Sequence, residues 1–365
     1  MNKLVVITAN TSWYLFNFRK GTIVGLLANG YRVVCMAPED SYSARLESMG
    51  AEFVALPLEG KSTNLATELK SLISIYLIIK RLKPAFVFNH TIKMNVYVGL
   101  SCRLLDVPYS NNVSGLGTVF LHKGLAYGLA QKLYRLANSS AQTVFFQNVE
   151  DKDTFLELGL VTEAKIVVLP GSGIDVEAFA FTQIPKRRPL VFIMIARLIA
   201  DKGVREFVDA ARQVSASGAT ARFVLVGPGG ISNTSAISDD EVEGWNTEGV
   251  IEYVGEQGDV IPWIEEAHVL VLPSYREGMP RTVLEGASMG RPAIVTDVPG
   301  CRQSVVDGET GWYCEVRSAE SLAARMLQVI QLPAEELEKF GFRARKRAEQ
   351  VFSEELVIGR YLECL

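Results

Sequence analysis

Short runs of β-branched and leucine residues recur along the chain, each followed by a longer segment with apolar positions three and four apart. In the first half the runs fall at residues 4–9, 32–37, 53–58, 86–89, 109–113, 144–147 and 166–169. In the second half they fall at 190–196, 222–226, 251–254, 269–272, 293–296 and 312–315. The intervening segments read as amphipathic helices, among them 19–29, closed by Gly30, and 64–82, stopped before Pro84. Continuous apolar strands alternating with amphipathic helices predict parallel sheets covered on both faces, an α/β fold. Residues 183–189 (QIPKRRP) break the pattern, are polar and hold two prolines, so they read as an interdomain linker. The chain is thus expected to form two Rossmann-like, doubly wound domains, residues 1–182 and 183–352. Residues 232–246 read as a polar surface excursion. Ligand crevices in such domains lie at the carboxyl ends of the strands. If the two domains face each other, the cleft between them is the expected active site.

The length of 365 residues agrees with two cores rather than one. The longest apolar stretch, 72–79 (LISIYLII), contains Ser74 and is too short to cross a bilayer, and the first 19 residues do not read as a signal peptide. The five cysteines, Cys35, Cys102, Cys301, Cys314 and Cys364, are scattered without CxxC spacing. They fit a reducing cytosol and neither a disulfide framework nor a zinc site. A net charge of −4 argues against nucleic acid as a partner. The charge is uneven. Residues 1–180 carry 17 Lys and Arg against 14 Asp and Glu, whereas residues 181–365 carry 20 against 27. A basic first half suits an anionic surface or ligand.

The densest chemistry lies at 269–285 (VLVLPSYREGMPRTVLE). A buried strand, Val269–Leu272, is stopped by Pro273 and Ser274, and a helix is expected to start at Pro280, where proline is tolerated. The exposed helix N-terminus attracts anions, phosphate above all. Glu277 just before the helix and Glu285 two turns inside it would repel phosphate, so acceptance of hydrogen bonds from sugar hydroxyls suits them better. The plainer alternative is a helix-capping Glu277 and a solvated Glu285. Upstream, the strand 190–196 runs into Arg197, with Lys202 five residues later. A guanidinium fork and a point charge at a loop opening a helix suit a diphosphate, and two solvated cations are the alternative. Gly227 in VGPGG would let backbone approach a ligand, though the segment is no Walker loop. No metal site emerges: Asp151 and Asp153 form a DxD, but in NVEDKDTFLEL they read as helix-start carboxylates.

Together these motifs spell a resemblance. ARLxxxKG at 196–203, the strand ending in PS, E-x7-E from Glu277 to Glu285, GRPAIVTDVPG at 290–300 and DGETGW at 307–312 resemble the family 4 retaining glycosyltransferases of the GT-B fold. So do FVFNHTIKMNVYVG at 86–99, SGLG at 114–117 and PGSGIDVEAF at 170–179, so the likeness spans nearly the whole chain. Within the family the chain is most similar to bacterial N-acetylgalactosaminyl- and galactosyltransferases that extend undecaprenyl-diphosphate-linked sugars. The resemblance implies that Glu285 accepts hydrogen bonds from nucleotide ribose and that Glu277 holds donor-sugar hydroxyls. It implies that the backbone of Gly278, Met279, Arg281, Thr282 and Val283 covers sugar and phosphate, and that Arg197 and Lys202 neutralise the departing diphosphate. His90 matches a histidine that meets the donor sugar from the first domain. By the same resemblance a last helix, 353–365, returns to the first domain. Two departures stand out. The first loop, ANTSWYLF at 9–16, lacks the Gly-Gly pair common in the family, leaving Asn10, Thr11 and Ser12 as phosphate donors. Gln303 replaces a frequent acidic residue.

The expectation is a cytoplasmic, metal-independent transferase on the inner face of the cytoplasmic membrane, taking a UDP-sugar donor and a lipid-diphosphate-linked saccharide acceptor, without a cofactor. A catalytically silent sugar-nucleotide-binding subunit and a GT-B-like UDP-N-acetylglucosamine 2-epimerase remain as alternatives. The acceptor is expected on the first domain, where Arg19, Lys93, His122 and Lys123 are assigned to loops at strand ends, the last two beside the apolar stretch 116–121. Helices at 64–83 and 125–136 combine leucines and isoleucines with Lys80, Arg81, Lys83, Lys132 and Arg135, which suits peripheral membrane contact.

Overall fold

A computed structural model describes residues 3–58, 65–116, 125–231 and 233–365. His122, Lys123 and most of the apolar stretch beside them lie outside the described residues.

The apolar runs become two sheets, parallel throughout. The first holds β1 (Leu4–Thr8), β2 (Arg32–Ala37), β3 (Glu52–Ala55), β4 (Phe86–His90), β5 (Tyr109–Val113), β6 (Thr143–Phe146) and β7 (Ile166–Val168), in the order β3-β2-β1-β4-β5-β6-β7. The second holds β8 (Leu190–Ile195), β9 (Ala221–Val226), β10 (Glu252–Tyr253), β11 (Val269–Leu272), β12 (Ala293–Thr296) and β13 (Gly311–Cys314), in the order β10-β9-β8-β11-β12-β13. Central strands such as β1, β8 and β11 are buried at every position, as helices on both faces require. In each sheet the winding reverses once, between β1 and β4 and between β8 and β11. These switch points open a crevice at the carboxyl ends of the strands, because the connections on either side leave in opposite directions.

The chain divides into two compact units, Met1–Ser172 with Glu354–Leu365, and Gly173–Ser353. Residues 183–189, the linker expected from the sequence, are built into the second unit. Arg291, 1% exposed, donates from Nη1 to the Thr182 carbonyl at 2.6 Å and from Nη2 to that of Gln183 at 3.4 Å. Arg345 Nη1 does the same for Val176 and Phe179, at 2.9 and 3.1 Å. Guanidinium groups thus hold the backbone leading into this segment, up to its first residue, which its prolines and charges do not disclose. The last helix, Glu354–Leu362, packs in the first unit against the helix Ser12–Ala28. Its Tyr361 is buried between Phe88 and Phe145, with ring centroids 4.7 and 5.0 Å away.

Two helices depart from expectation. The helix expected at 19–29 begins two turns earlier, at Ser12, because the Thr11 side chain accepts the Tyr14 N–H at 3.1 Å and caps it. The second half of the polar excursion forms most of the helix Asp239–Glu248, capped by Ser238, with only Val242 and Trp245 buried. So small a buried stripe leaves little periodicity to read.

Candidate functional site

In the second unit the switch point gathers most of the residues singled out above. β8 ends at Ile195 and delivers Arg197, which is exposed. β9 ends at Val226 and delivers Gly227, whose φ of +142° and contact with β8 admit no side chain: a Cβ there would run into the Ala196 carbonyl. The backbone of Gly227 is already engaged, its N–H donating to the Gly255 carbonyl at 2.9 Å and its carbonyl accepting from the Tyr253 hydroxyl at 3.0 Å. The glycine therefore sets how closely the two strand ends approach beneath the crevice.

β11 delivers the loop that carries Glu277. This loop is tied to the one carrying Lys202 by the Tyr275 N–H and the Ser274 hydroxyl, both donating to the Asp201 carbonyl, at 2.8 and 3.1 Å. Consequently the Lys202 ammonium donates to the Glu277 carboxylate, the two side chains being 21% and 11% exposed. A second wall closes on Glu277 from the loop after β12. Its N–H donates to the Pro299 carbonyl at 3.1 Å, and Gly300, at φ +82°, lies so close to Glu277 that any Cβ would collide with it. Gln303 Oε1 accepts the Gly300 N–H at 2.7 Å, so the residue that replaces a family carboxylate holds this loop in place.

The helix Arg281–Ser288 follows, with Pro280 as its N-cap rather than its first residue, and no side chain caps it. Gly278, Met279, Arg281 and Thr282 are partly exposed at this end, whereas Val283 is buried. Glu285 is 7% exposed, which removes the solvated alternative, and Arg281 Nε donates to its Oε1 at 3.0 Å. Burial raises the Glu285 carboxyl above its ordinary pKa, and Arg281 acts in the opposite sense. A carboxylate of raised energy with one guanidinium partner is an acceptor ready for hydroxyl donors. Chemically, the strand ends thus present a cation paired to a carboxylate, a free guanidinium-bearing loop and a second, buried carboxylate.

The first unit's switch point is built differently. His90 ends β4 and is 0% exposed. Its Nδ1 lies 3.2 Å from the Thr8 carbonyl, which can only accept, so Nδ1 carries the proton. Nε2 is then the acceptor, and the Tyr361 hydroxyl donates to it at 3.0 Å. The Tyr361 oxygen accepts in turn from Asn112 Nδ2 at 2.9 Å and Arg19 Nη1 at 3.4 Å. Burial first, and Arg19 second, hold the His90 pKa well below its usual 6.5. A depressed histidine stabilises the fold above its unfolded pKa, and that contribution is lost as pH falls. Thermal stability is accordingly expected to drop more steeply below pH 6.5 in the native protein than in a His90→Gln variant, as followed by melting across a pH series. Parallel slopes would place the acid sensitivity elsewhere.

Arg19 needs correction. It sits inside the helix Ser12–Ala28 rather than on an open loop and is 1% exposed, drawn inward by the hydroxyls of Tyr361 and, at 3.1 Å, Tyr14. A guanidinium so enclosed cannot touch an acceptor. Lys93 opens the helix Ile92–Leu105 and pairs with Glu68 at 2.7 Å. Asn10 is exposed at the end of β1, but Thr11 is spent on capping. Ser12 donates to Asp40, whose other oxygen accepts the Trp13 N–H at 3.1 Å. This helix N-terminus already holds a carboxylate. The DxD residues lie in the helix Val149–Glu157, where Asp151 N–H donates to Asn148 Oδ1 at 2.8 Å and Asp153 pairs with Lys152 at 2.9 Å. Sequence reasoning missed Tyr361 and the asparagine chain beside it. Thr8 donates to Asn89 at 3.2 Å, Asn89 to Asn111 at 2.9 Å, and Asn111 to Asn138 at 2.8 Å. Three asparagines at strand ends, with a fourth on a helix, were the available signal.

Both halves of the chain match known glycosyltransferases. Residues 3–148 match a family model described as glycosyl transferase 4-like, and residues 189–332 match one described as glycosyl transferases group 1. A curated Campylobacter jejuni relative, N,N'-diacetylbacillosaminyl-diphospho-undecaprenol alpha-1,3-N-acetylgalactosaminyltransferase, is 28% identical over 96% of this chain and 94% of its own length. An Escherichia coli relative, UDP-Gal:alpha-D-GlcNAc-diphosphoundecaprenol alpha-1,3-galactosyltransferase, is 27% identical over 78% of this chain and 75% of its own. Among solved structures, Anabaena HepE in complex with UDP-glucose superimposes with a TM-score of 0.80 at 15% identity, covering 99% of this chain and 100% of that one. Sucrose-phosphate synthase from Thermosynechococcus elongatus gives the same TM-score and identity, over 99% and 98%. With both halves matched by glycosyltransferase models and the paired Rossmann-like units of its neighbours, the chain belongs to the group 1, family 4-like glycosyltransferases of the GT-B fold.

Proposed function

We propose that this glycosyltransferase moves a hexose or N-acetylhexosamine from a UDP-sugar to a polyprenyl-diphosphate-linked saccharide, with retained configuration and without a metal ion, in bacterial surface polysaccharide or glycan assembly. The observation that carries the reading is the pairing of Lys202 with Glu277 at the second unit's switch point, just before the helix that holds the buried Glu285. A nucleotide seated there meets carboxylates where its hydroxyls lie and cations where its phosphates lie. Glu285 accepts from the ribose hydroxyls, and Glu277 from the donor sugar. Gly278, Met279, Thr282 and Val283 line the helix N-terminus that faces sugar and phosphate, and Gly227 keeps the floor of the crevice low.

In the transfer, the bond from the sugar's anomeric carbon to the β-phosphate oxygen breaks and a bond to the acceptor hydroxyl oxygen forms on the same face. The hydroxyl proton passes to the leaving phosphate oxygen. Arg197 and Lys202 stabilise the charge that develops on that diphosphate, which is the role a divalent ion fills in other transferases. His90 acts as a positioning group: its neutral ring, held by Thr8 and Tyr361, fixes the end of β4 beside Asn10. Lys93 is the acceptor-side cation of this reading. The similarity to enzymes named for undecaprenyl-diphosphate-linked acceptors supports the acceptor class.

The test is turnover of a panel of UDP-sugars with and without a synthetic polyprenyl-diphosphate saccharide. Transfer that depends on the acceptor and keeps the anomeric configuration is the expected result. Epimer formed without acceptor, or binding without turnover, would replace the reading. Activity is further expected to persist in excess EDTA. Complete loss of transfer, restored by Mn2+ or Mg2+, would instead assign the charge neutralisation to a metal.

A further inference from the structure

Ala9, Asn10 and Thr11 alone join β1 to the helix Ser12–Ala28. The first turn of that helix therefore stands at the carboxyl end of β1, beside the point where the first sheet reverses its winding. Trp13 lies on this turn and is 43% exposed. Single apolar side chains at a surface are ordinary, but this one is held in place. Its backbone N–H donates to Asp40 Oδ2 at 3.1 Å, and its carbonyl accepts from Asn17 Nδ2 at 2.9 Å. The indole and the Phe18 ring meet edge to face, with centroids 5.5 Å apart. Phe18 packs in turn on Tyr14 at 5.1 Å, and Tyr14 lies 6.1 Å from the His90 ring that ends β4. A row of rings thus runs from the end of β4 to an indole open to solvent. The charge beside it is acidic. Asp40 is engaged at the helix N-terminus, whereas its neighbour Glu39 is exposed and has no partner among the described residues. The cations of this region turn to other rings: Arg45 lies over Tyr42 at 4.7 Å and Lys20 over Phe16 at 6.0 Å.

We propose that Trp13 is the platform on which the saccharide of the acceptor stacks, with Glu39 and the indole N–H taking its hydroxyl groups. A pyranose carries C–H bonds on its faces and hydroxyls around its rim, so it fits an apolar plate bordered by a few hydrogen-bonding groups. An indole whose backbone is tied on both sides loses little freedom when a ring settles on it. The occupant follows from the charge. A phosphate or an acidic headgroup would meet Glu39 and Asp40 with no cation over the indole, whereas a neutral sugar finds acceptors there for its hydroxyls. The inference rests on the proposed function and deepens it, since it names the side chain that reads the acceptor's sugar and leaves Lys93 to the acceptor's diphosphate.

The test uses the full chain and a water-soluble form of the acceptor that the native protein turns over, a saccharide diphosphate on a short alkyl tail. The same alkyl diphosphate without sugar is the control. Trp13→Ala should raise the acceptor KM at least ~10-fold, as truncation of an aromatic anchor does, while kcat at saturating acceptor and UDP affinity stay within about twofold of native. Trp13→Phe keeps a stacking face and should hold the acceptor KM within about threefold of native. The saccharide diphosphate should change a part of the native tryptophan emission that Trp13→Phe lacks, and the sugar-free diphosphate should not. An unchanged acceptor KM in Trp13→Ala would overturn the proposal. So would a fall in kcat at unchanged KM, which marks a disturbed site and no lost contact. Equal emission changes with the sugar-free diphosphate would also overturn it, by making the indole a seat for tail or phosphate. If the native protein transfers no sugar at all, the proposed function falls and this inference with it, whereas native transfer that is indifferent to Trp13 removes the inference alone.

Discussion

Replacement of Glu285 by alanine is expected to weaken UDP binding by about 10- to 150-fold, or ~1.5–3 kcal/mol, measured by calorimetry. The carboxylate is buried with Arg281 as its recorded partner, so ribose hydroxyls reaching it form charge-assisted hydrogen bonds that water cannot easily replace. The same burial produces an opposite effect on stability. A carboxyl whose folded pKa is raised above its unfolded value of 4.5 favours the fold when protonated, and that contribution is lost as pH rises through the folded pKa. Glu285→Gln should therefore melt at a higher temperature than the native protein at neutral pH in the absence of nucleotide. The difference should vanish below pH 4.5, where both side chains are neutral. Unchanged UDP affinity in the alanine variant would remove Glu285 from the nucleotide site, whatever the melting curves show.

Lys202→Met is expected to lower kcat by about 10²- to 10³-fold, the usual consequence of removing one preorganised charge from a departing anion. Glu277 makes the outcome more informative. Without its ammonium partner the Glu277 carboxylate, 11% exposed, faces the diphosphate directly, so UDP affinity should fall as well. Combining Lys202→Met with Glu277→Gln removes that repulsion. The double variant should regain UDP affinity towards the native value while turnover stays low. Steady-state kinetics with UDP binding on the same four proteins gives the cycle. A Lys202→Met enzyme with near-native kcat would take the lysine out of leaving-group stabilisation and leave Arg197 to carry it.

Much of this was legible in the chain. The apolar runs are long and β-branched enough to mark strands, and Val269–Leu272 appears in the structure with the bounds read from its sequence. Glu277 and Glu285 are local to one strand, loop and helix, so eight residues of spacing carry their relation. The first two turns of the helix that starts at Ser12 were missed because they are aromatic-rich and bury Ser12 and Arg19 instead of a regular apolar stripe.

What the chain alone determined is therefore everything held by neighbours in sequence: the alternation of strand and helix, the carboxylate pair and the cations at strand ends. Only the tertiary structure decided which of those groups remain available. Strand order is set by how helices cover the two faces, and it brings Lys202 to Glu277 across 75 positions and Tyr361 to His90 across 271. It also withdrew Arg19, since its guanidinium is enclosed inside the fold with both terminal nitrogens donating to tyrosine hydroxyls, while the same residue on a linear chain reads as one more surface cation. Charge and spacing are properties of the sequence, but burial and partnership belong to the packing, and the packing settles which charges a ligand can meet.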